Sequence, residues 1–261
     1  MSHPDTESPP ELIIDHQVAT LRLNRPSKRN RLEPEDLRLL MAHCERIHDD
    51  PDLRVVVLTA NTAGQPQPTF CAGYDMGGFE GSAQDTDLFE NMVQALAGLR
   101  PVLIGALNGS VYGGATDMVL ACDIRIGLKG GVFRMPATAL GLHYYPSGLR
   151  RFVAHLGING ARWAFLTARP ISFDKLERWG VLMDVVDPTD FEDVIGSLVQ
   201  EIRHLAPLAI QGTKQSLQEI ALGTDDLEPL RQRQLRTLRS VDFAEGRQAF
   251  ADRRLPVFQG R

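Results

Sequence analysis

Three short, almost wholly apolar runs, set apart by segments of helical periodicity, constrain this chain more than any other feature. They occupy residues 53–60 (with VVVLTA), 101–107 (PVLIGAL) and 124–128 (IRIGL). A strand that is apolar at every position must be covered on both faces, which is the condition of a parallel sheet sandwiched by helices. Residues 33–47 carry Leu37, Leu40, Met41, Cys44 and Ile47 at helical spacing, residues 88–99 read as a second helix, and Gly113-Gly114 opens a third that runs to about Cys122. Strand, helix, strand, helix in that order predicts an α/β core of βαβ units. Upstream, residues 11–23 (ELIIDHQVATLRL) read as two strands turning near 15–17, ended by Asn24-Arg25-Pro26.

Beyond Pro146 the pattern changes. Residues 149–167, 172–179, 190–204, 206–222 and 226–250 all read as helices, with a short strand at 181–186. The chain therefore divides into a disordered polar lead-in (1–10), an α/β core (11–190) and a helical C-terminal region (191–261). Two polar stretches, 61–68 with Gly and Pro and 80–87 with Gly, read as loops, the second as a mobile flap.

Composition removes several functions. The 261 residues are 43% hydrophobic, enough for a large core. The net charge of -5 argues against a nucleic-acid binder that works through a basic surface. Cys44, Cys71 and Cys122 form no CxxC pair and no zinc spacing, so no metal is expected and the thiols read as buried and reduced. The N-terminus lacks the apolar stretch of a signal peptide, and no apolar run spans the ~18 residues of a membrane helix; a cytoplasmic location with no membrane association is expected. No P-loop, GxGxxG or HExxH occurs. There is no GxSxG either, and Ser110 has no evident basic partner, which weakens a serine hydrolase reading.

Two strand-to-loop junctions carry the chemistry: FCAGYDM (residues 70–76) and NGSVYGGA (residues 108–115). Small residues there allow the backbone to approach something closely. Two N–H donors from separate turns that converge on one carbonyl oxygen make an oxyanion hole. Either motif alone also suits a plain tight turn.

Together, and in this order, the motifs resemble the crotonase superfamily (enoyl-CoA hydratase/isomerase family). LRLNRPSKRNRL resembles its opening strand and N-R-P turn, FCAGYDM its F-x-A-G-x-D motif, and ALNGSVYGGATDMVLACDIRI its glycine-rich second motif. RMPATALGL sits where the family has P-E-x-x-x-G, and FAEGRQAFADRRLPVF resembles its closing helix. The resemblance implies a crotonase-like ββα spiral core with a helical C-terminal trimerisation region, assembly as a homotrimer or hexamer, and an acyl-CoA or enoyl-CoA ligand with no further cofactor. It places the oxyanion donors at Ala72 and Gly114, and an acid–base carboxylate at Asp117. Tyr74, Asp75, Met76 and Gly113 then line the same turns. Lys28, Arg29, Arg253 and Arg254 fall where the CoA phosphates commonly lie.

The sequence departs from the two-glutamate hydratase pattern at both acids. The first position is Asp117, shorter by a methylene; the second is Ala137, which moves no proton. Because no Asp or Glu occurs from 124 to 173, a replacement acid has to come from elsewhere, with Glu80, Asp85 and Asp87 the expected sources and His143 and Tyr144 as nearby polar rings. Two readings follow: an enzyme that works through a thioester enolate (hydratase, isomerase, decarboxylase or hydrolase), and a non-catalytic acyl-CoA-binding protein.

Overall fold

The computed structural model describes residues 7–75, 77 and 83–261. The predicted strands pair into a larger sheet in the order β1 (Glu11–Asp15), β2 (Val18–Leu23), β3 (Val55–Ala60), β5 (Val102–Leu107), β7 (Ile124–Leu128), β10 (Asp184–Val186). The β1–β2 hairpin is antiparallel and every other pairing in this sheet is parallel. Alternate residues of one strand enter different cores. Val56, Leu58, Leu103 and Leu107 join a cluster with α1 (Pro34–Asp49) and α2 (Ala83–Ala97), while Val55, Val57, Val102 and Ile104 pack with Phe191, Val199 and Ile202 of α6 (Phe191–Arg203). This two-sided burial is why the strands read as unbroken apolar runs.

A smaller sheet was not anticipated from the sequence. Its order is β4 (Thr69–Cys71), β6 (Ser110–Tyr112), β8 (Val132–Arg134), β9 (Ile171–Ser172). Three parallel strands of the large sheet are each followed by one in the small sheet and then by a helix: β3–β4–α2, β5–β6–α3 (Ala115–Leu120), β7–β8–α4 (Pro146–Thr167). That repeated ββα turn is the expected spiral core.

Helix boundaries follow local chemistry. Pro34 occupies the first turn of α1, and Glu33 and Asp36 form a reciprocal capping box. Helix α2 begins at Ala83, so the backbone expected to be a flap through residue 87 is helical from 83 onward. Within α4, Gly157 breaks the helix with φ 64° and ψ 166°. The segment read as one helix over 226–250 is two, α8 (Leu227–Leu238) and α9 (Val241–Asp252), because the Ser240 hydroxyl caps α9 by accepting the Phe243 N–H. Completing the set are α5 (Phe173–Arg178) and α7 (Pro207–Leu222). The three cysteines are buried free thiols, each pushed up to about 12 by desolvation. Among the described residues no helix is long and apolar enough to cross a membrane.

Candidate active site

Strands β4 and β6 are parallel neighbours, so the two small-residue turns leave the same end of the small sheet side by side. Gly73 has φ 96°, and a Cβ there would lie 2.8 Å from Tyr112 O and 3.3 Å from both Gly113 Cα and Gly114 N. Only glycine meets both the dihedral and the contact. A second close approach lies at Gly109, where a Cβ would sit 2.6 Å from the Pro68 carbonyl carbon and 2.7 Å from Phe70 N. Two backbone-on-backbone contacts thus fix the separation of the turns. Above them, the Phe89 ring of α2 covers Gly114 so closely that a Cβ would meet its Cζ at 2.6 Å. Phe89 in turn stands 5.9 Å from the Tyr74 ring and 6.3 Å from the Tyr145 ring, giving the site an aromatic wall.

The backbone donors correct one sequence expectation. The Ala72 N–H donates to Arg29 O at 2.9 Å, which removes it as an oxyanion donor. Two residues on, Tyr74 forms a parallel bridge with Leu32, made by Leu32 N–H to Gly73 O and Asp75 N–H to Leu32 O. In such a bridge the N–H of the central residue is directed away from the partner strand. Among the described residues no acceptor takes the Gly114 N–H, which stands at the head of α3.

Asp117 is the second correction. Its side chain is 0% exposed. Arg151 Nη1 bridges its two carboxylate oxygens at 2.8 and 2.7 Å, and the Tyr145 hydroxyl donates to Oδ2. Burial pushes the carboxyl above its ordinary range, against the pull of Arg151 and of the Tyr145 hydroxyl. A carboxylate enclosed in this way anchors Arg151 and Tyr145; it presents no oxygen to solvent. The Tyr144 hydroxyl donates to the Tyr145 oxygen at 3.3 Å, and the two rings stack at 4.3 Å. Burial raises both phenols well above their usual value. Tyr144 therefore belongs to this buried cluster, which Ala137 also joins.

The remaining predicted residues divide. His143 is exposed on the turn before the tyrosines. Asp75 pairs with Arg31 at 3.0 Å and accepts the Gly77 N–H. Lys28 pairs with Glu33, whereas the side chain of Arg29, in the left-handed turn beside Ala72, is exposed. Arg254 pairs with Glu245 at 2.6 Å at the end of α9, next to exposed Arg253. Met76 and Glu80 lie outside the described residues, and Asp87 is exposed on α2.

Sequence reasoning missed Arg151, Glu90 and Ser147. For Arg151 a signal existed: Gly148, Arg151 and Phe152 share the buried face of α4, and an arginine on such a face needs an anionic partner. Glu90 and Ser147 meet across α2 and α4, the serine hydroxyl donating to Glu90 Oε1. No local spacing reveals a pair 57 residues apart.

Comparison with known proteins fits this arrangement. The model of the family described as "Enoyl-CoA hydratase/isomerase" matches residues 14–261. An (E)-benzylidenesuccinyl-CoA hydratase of Thauera aromatica is 32% identical over 97% of this chain and 99% of its own. A carnitinyl-CoA dehydratase of Proteus mirabilis is 30% identical over 94% of this chain and 95% of its own. Among solved structures, an enoyl-CoA hydratase/carnithine racemase from Magnetospirillum magneticum superposes with a TM-score of 0.89 at 25% identity, covering 98% of this chain and 97% of the other. With a family model spanning nearly the whole chain, a ββα spiral and paired glycine turns in register, this protein belongs to the enoyl-CoA hydratase/isomerase family of the crotonase superfamily.

Proposed function

We propose that the protein adds water to, or removes it from, the C2–C3 bond of an acyl-CoA thioester, with the enolate oxygen held by the N–H groups of Gly114 and Tyr74. The observation that carries this is the packing of Gly73 against Gly113–Gly114, which sets the Gly114 N–H beside the turn that bears Tyr74. Donors fixed in place before reaction stabilise a developing oxyanion without reorganising. The names of the relatives favour water chemistry over isomerisation, decarboxylation or thioester hydrolysis: one is a hydratase of an aromatic substrate, the other a dehydratase. The wall of Tyr74, Phe89 and Tyr145 suits a planar unsaturated or aromatic acyl group. Lys28, Arg29, Arg253 and Arg254 are the cations for the CoA phosphates, with Arg29 and Arg253 exposed.

The test is loss of the conjugated thioester absorbance with crotonyl-CoA and cinnamoyl-CoA, alongside calorimetric binding of butyryl-CoA. Hydration of either thioester supports the reading; absence of butyryl-CoA binding sinks it. A second reading has its own support, since Ala137 supplies no acid and Asp117 is enclosed: a binding protein without turnover. It predicts butyryl-CoA binding with both enoyl thioesters unchanged.

We also propose assembly as a homotrimer or a dimer of trimers. Phe250, Leu255 and Val257 are 88%, 87% and 70% exposed at the C-terminal end, an apolar surface that a neighbouring copy would cover. Light scattering should give a multiple of three times the 28.9 kDa chain, and a stable monomer would refute this.

A further inference from the structure

Water addition needs a group that takes a proton from water and one that gives a proton to C2. Ala137 and the enclosed Asp117 leave both tasks open. The carboxylates around the site are mostly committed: Asp117 to Arg151, Asp75 to Arg31, Glu33 to Arg25 and Lys28. Among the described residues Glu90 is half-buried, forms no ion pair, and accepts one hydrogen bond, from the Ser147 hydroxyl, whereas Asp87, one turn earlier on α2, is exposed.

Its position is fixed from two sides. The preceding residue, Phe89, lies on Gly114, so α2 crosses directly over the proposed oxyanion turn. Ser147 stands two residues beyond Tyr145, whose hydroxyl reaches Asp117. The Glu90 charge also acts on the Asp117 carboxyl and the Tyr144 phenol. Glu90 is thus at the junction of α2 with the start of α4, beside the Phe89–Tyr145 ring contact.

We propose that Glu90 is the catalytic acid–base residue and does both tasks in turn, with Ser147 as its positioning residue. This rests on the acyl-CoA hydro-lyase reading above. In the hydration direction the Glu90 carboxylate takes a proton from water as the water oxygen bonds to C3. The C2–C3 π pair moves into a C1–C2 double bond, and the thioester carbonyl pair moves onto oxygen, facing the Gly114 N–H. The enolate then collapses, C2 takes the proton back from the Glu90 carboxylic acid, and the residue is again a carboxylate. Water has been added, and no other proton carrier or cofactor is required. Because one carboxylate serves both carbons, both new bonds form on the same face of the acyl plane.

Three variants and three readouts test this: Glu90→Gln, Glu90→Asp and Ser147→Ala, each checked for folding by thermal denaturation. The readouts are butyryl-CoA binding, hydration of crotonyl-CoA and cinnamoyl-CoA, and exchange of the C2 protons of butyryl-CoA with D2O followed by NMR. Glu90→Gln should lower kcat and C2 exchange by about 10²–10⁴ while butyryl-CoA affinity changes less than threefold. Glu90→Asp should restore part of the rate. Removing the Ser147 hydroxyl releases the Glu90 side chain from its position, so kcat should fall by about 10-fold or more while KM and butyryl-CoA affinity change less than threefold. A folded Glu90→Gln protein with unchanged turnover and exchange would overturn the assignment. So would a wild-type protein that binds butyryl-CoA yet neither exchanges its C2 protons nor hydrates either thioester. If wild type does not bind butyryl-CoA at all, the acyl-CoA reading itself falls, and this inference falls with it.

Discussion

Gly114 and Phe89 are in tight contact, and a single methyl group tests it. Gly114→Ala keeps the N–H but drives a Cβ into the Phe89 ring at 2.6 Å. Overpacking of this kind costs about 1–3 kcal/mol, read as a lower urea midpoint. Phe89→Ala opens the space, so the double variant should lose clearly less than the sum of the singles, a non-additivity expected of residues in contact. Asp117 behaves differently. Asp117→Ala strands the buried Arg151 guanidinium and should cost about 3–5 kcal/mol, and adding Arg151→Met should recover much of that loss by removing the orphaned charge. Urea denaturation of the three proteins checks this; a larger loss in the double variant would contradict it. Lengthening Asp117 to Glu to restore hydratase geometry is expected to destabilise, since the enclosed cluster leaves no room. The sequence made the importance of 72–75, 113–114 and 117 legible as a neighbourhood. Which atom does what was not legible, because the Ala72 N–H and the Asp117 carboxylate are claimed by Arg29 and Arg151, partners distant in the chain.

At the scale of elements, the central strands of the larger sheet could be read because runs such as VVVL in β3 and VLIGAL in β5 leave few alternatives. The small sheet could not. Its strands are two or three residues long, too short for any periodicity to show, and they exist only because the spiral stacks successive turns in register. The α8–α9 break turned on one hydroxyl that continuous helical periodicity concealed. Ser240→Ala should therefore cost about 1 kcal/mol and speed amide exchange over the first turn of α9. Faster exchange should also reach the tail, since buried Asp242 in that turn accepts the Gln259 and Gly260 N–H groups at 2.7 and 2.8 Å. Exchange measured by mass spectrometry that is unchanged over 241–245 would refute the capping role.

Over the whole molecule, the sheet's second face is closed by α6, the first helix of the C-terminal region. Acid stability carries a signature of one buried imidazole. Desolvation, with Arg125 and Arg151 nearby, lowers the His155 pKa from 6.5 to about 3. The unfolded chain takes up that proton near 6.5 while the folded chain refuses it. The contribution of His155 is therefore full above about pH 6.5 and is lost progressively as pH falls toward 3, by at most about 5 kcal/mol. Glu33, held at about 2 by hydrogen bonds from Lys28 and Arg25, acts only below its ordinary 4.5, so the two windows are separable. A His155→Gln variant should flatten the stability profile between pH 6.5 and 4.5; an identical slope there would exclude His155 as its origin. The absence of a side chain at Gly109 has a consequence of another kind. It works as a gauge block between two loops, and its tolerance is smaller than a methyl group. Gly109→Ala would leave every named side chain in place yet wedge the first turn away from the second. The resulting protein should be folded, should bind CoA through its cations, and should be slow, an inactive enzyme whose lesion no inventory of site residues would contain.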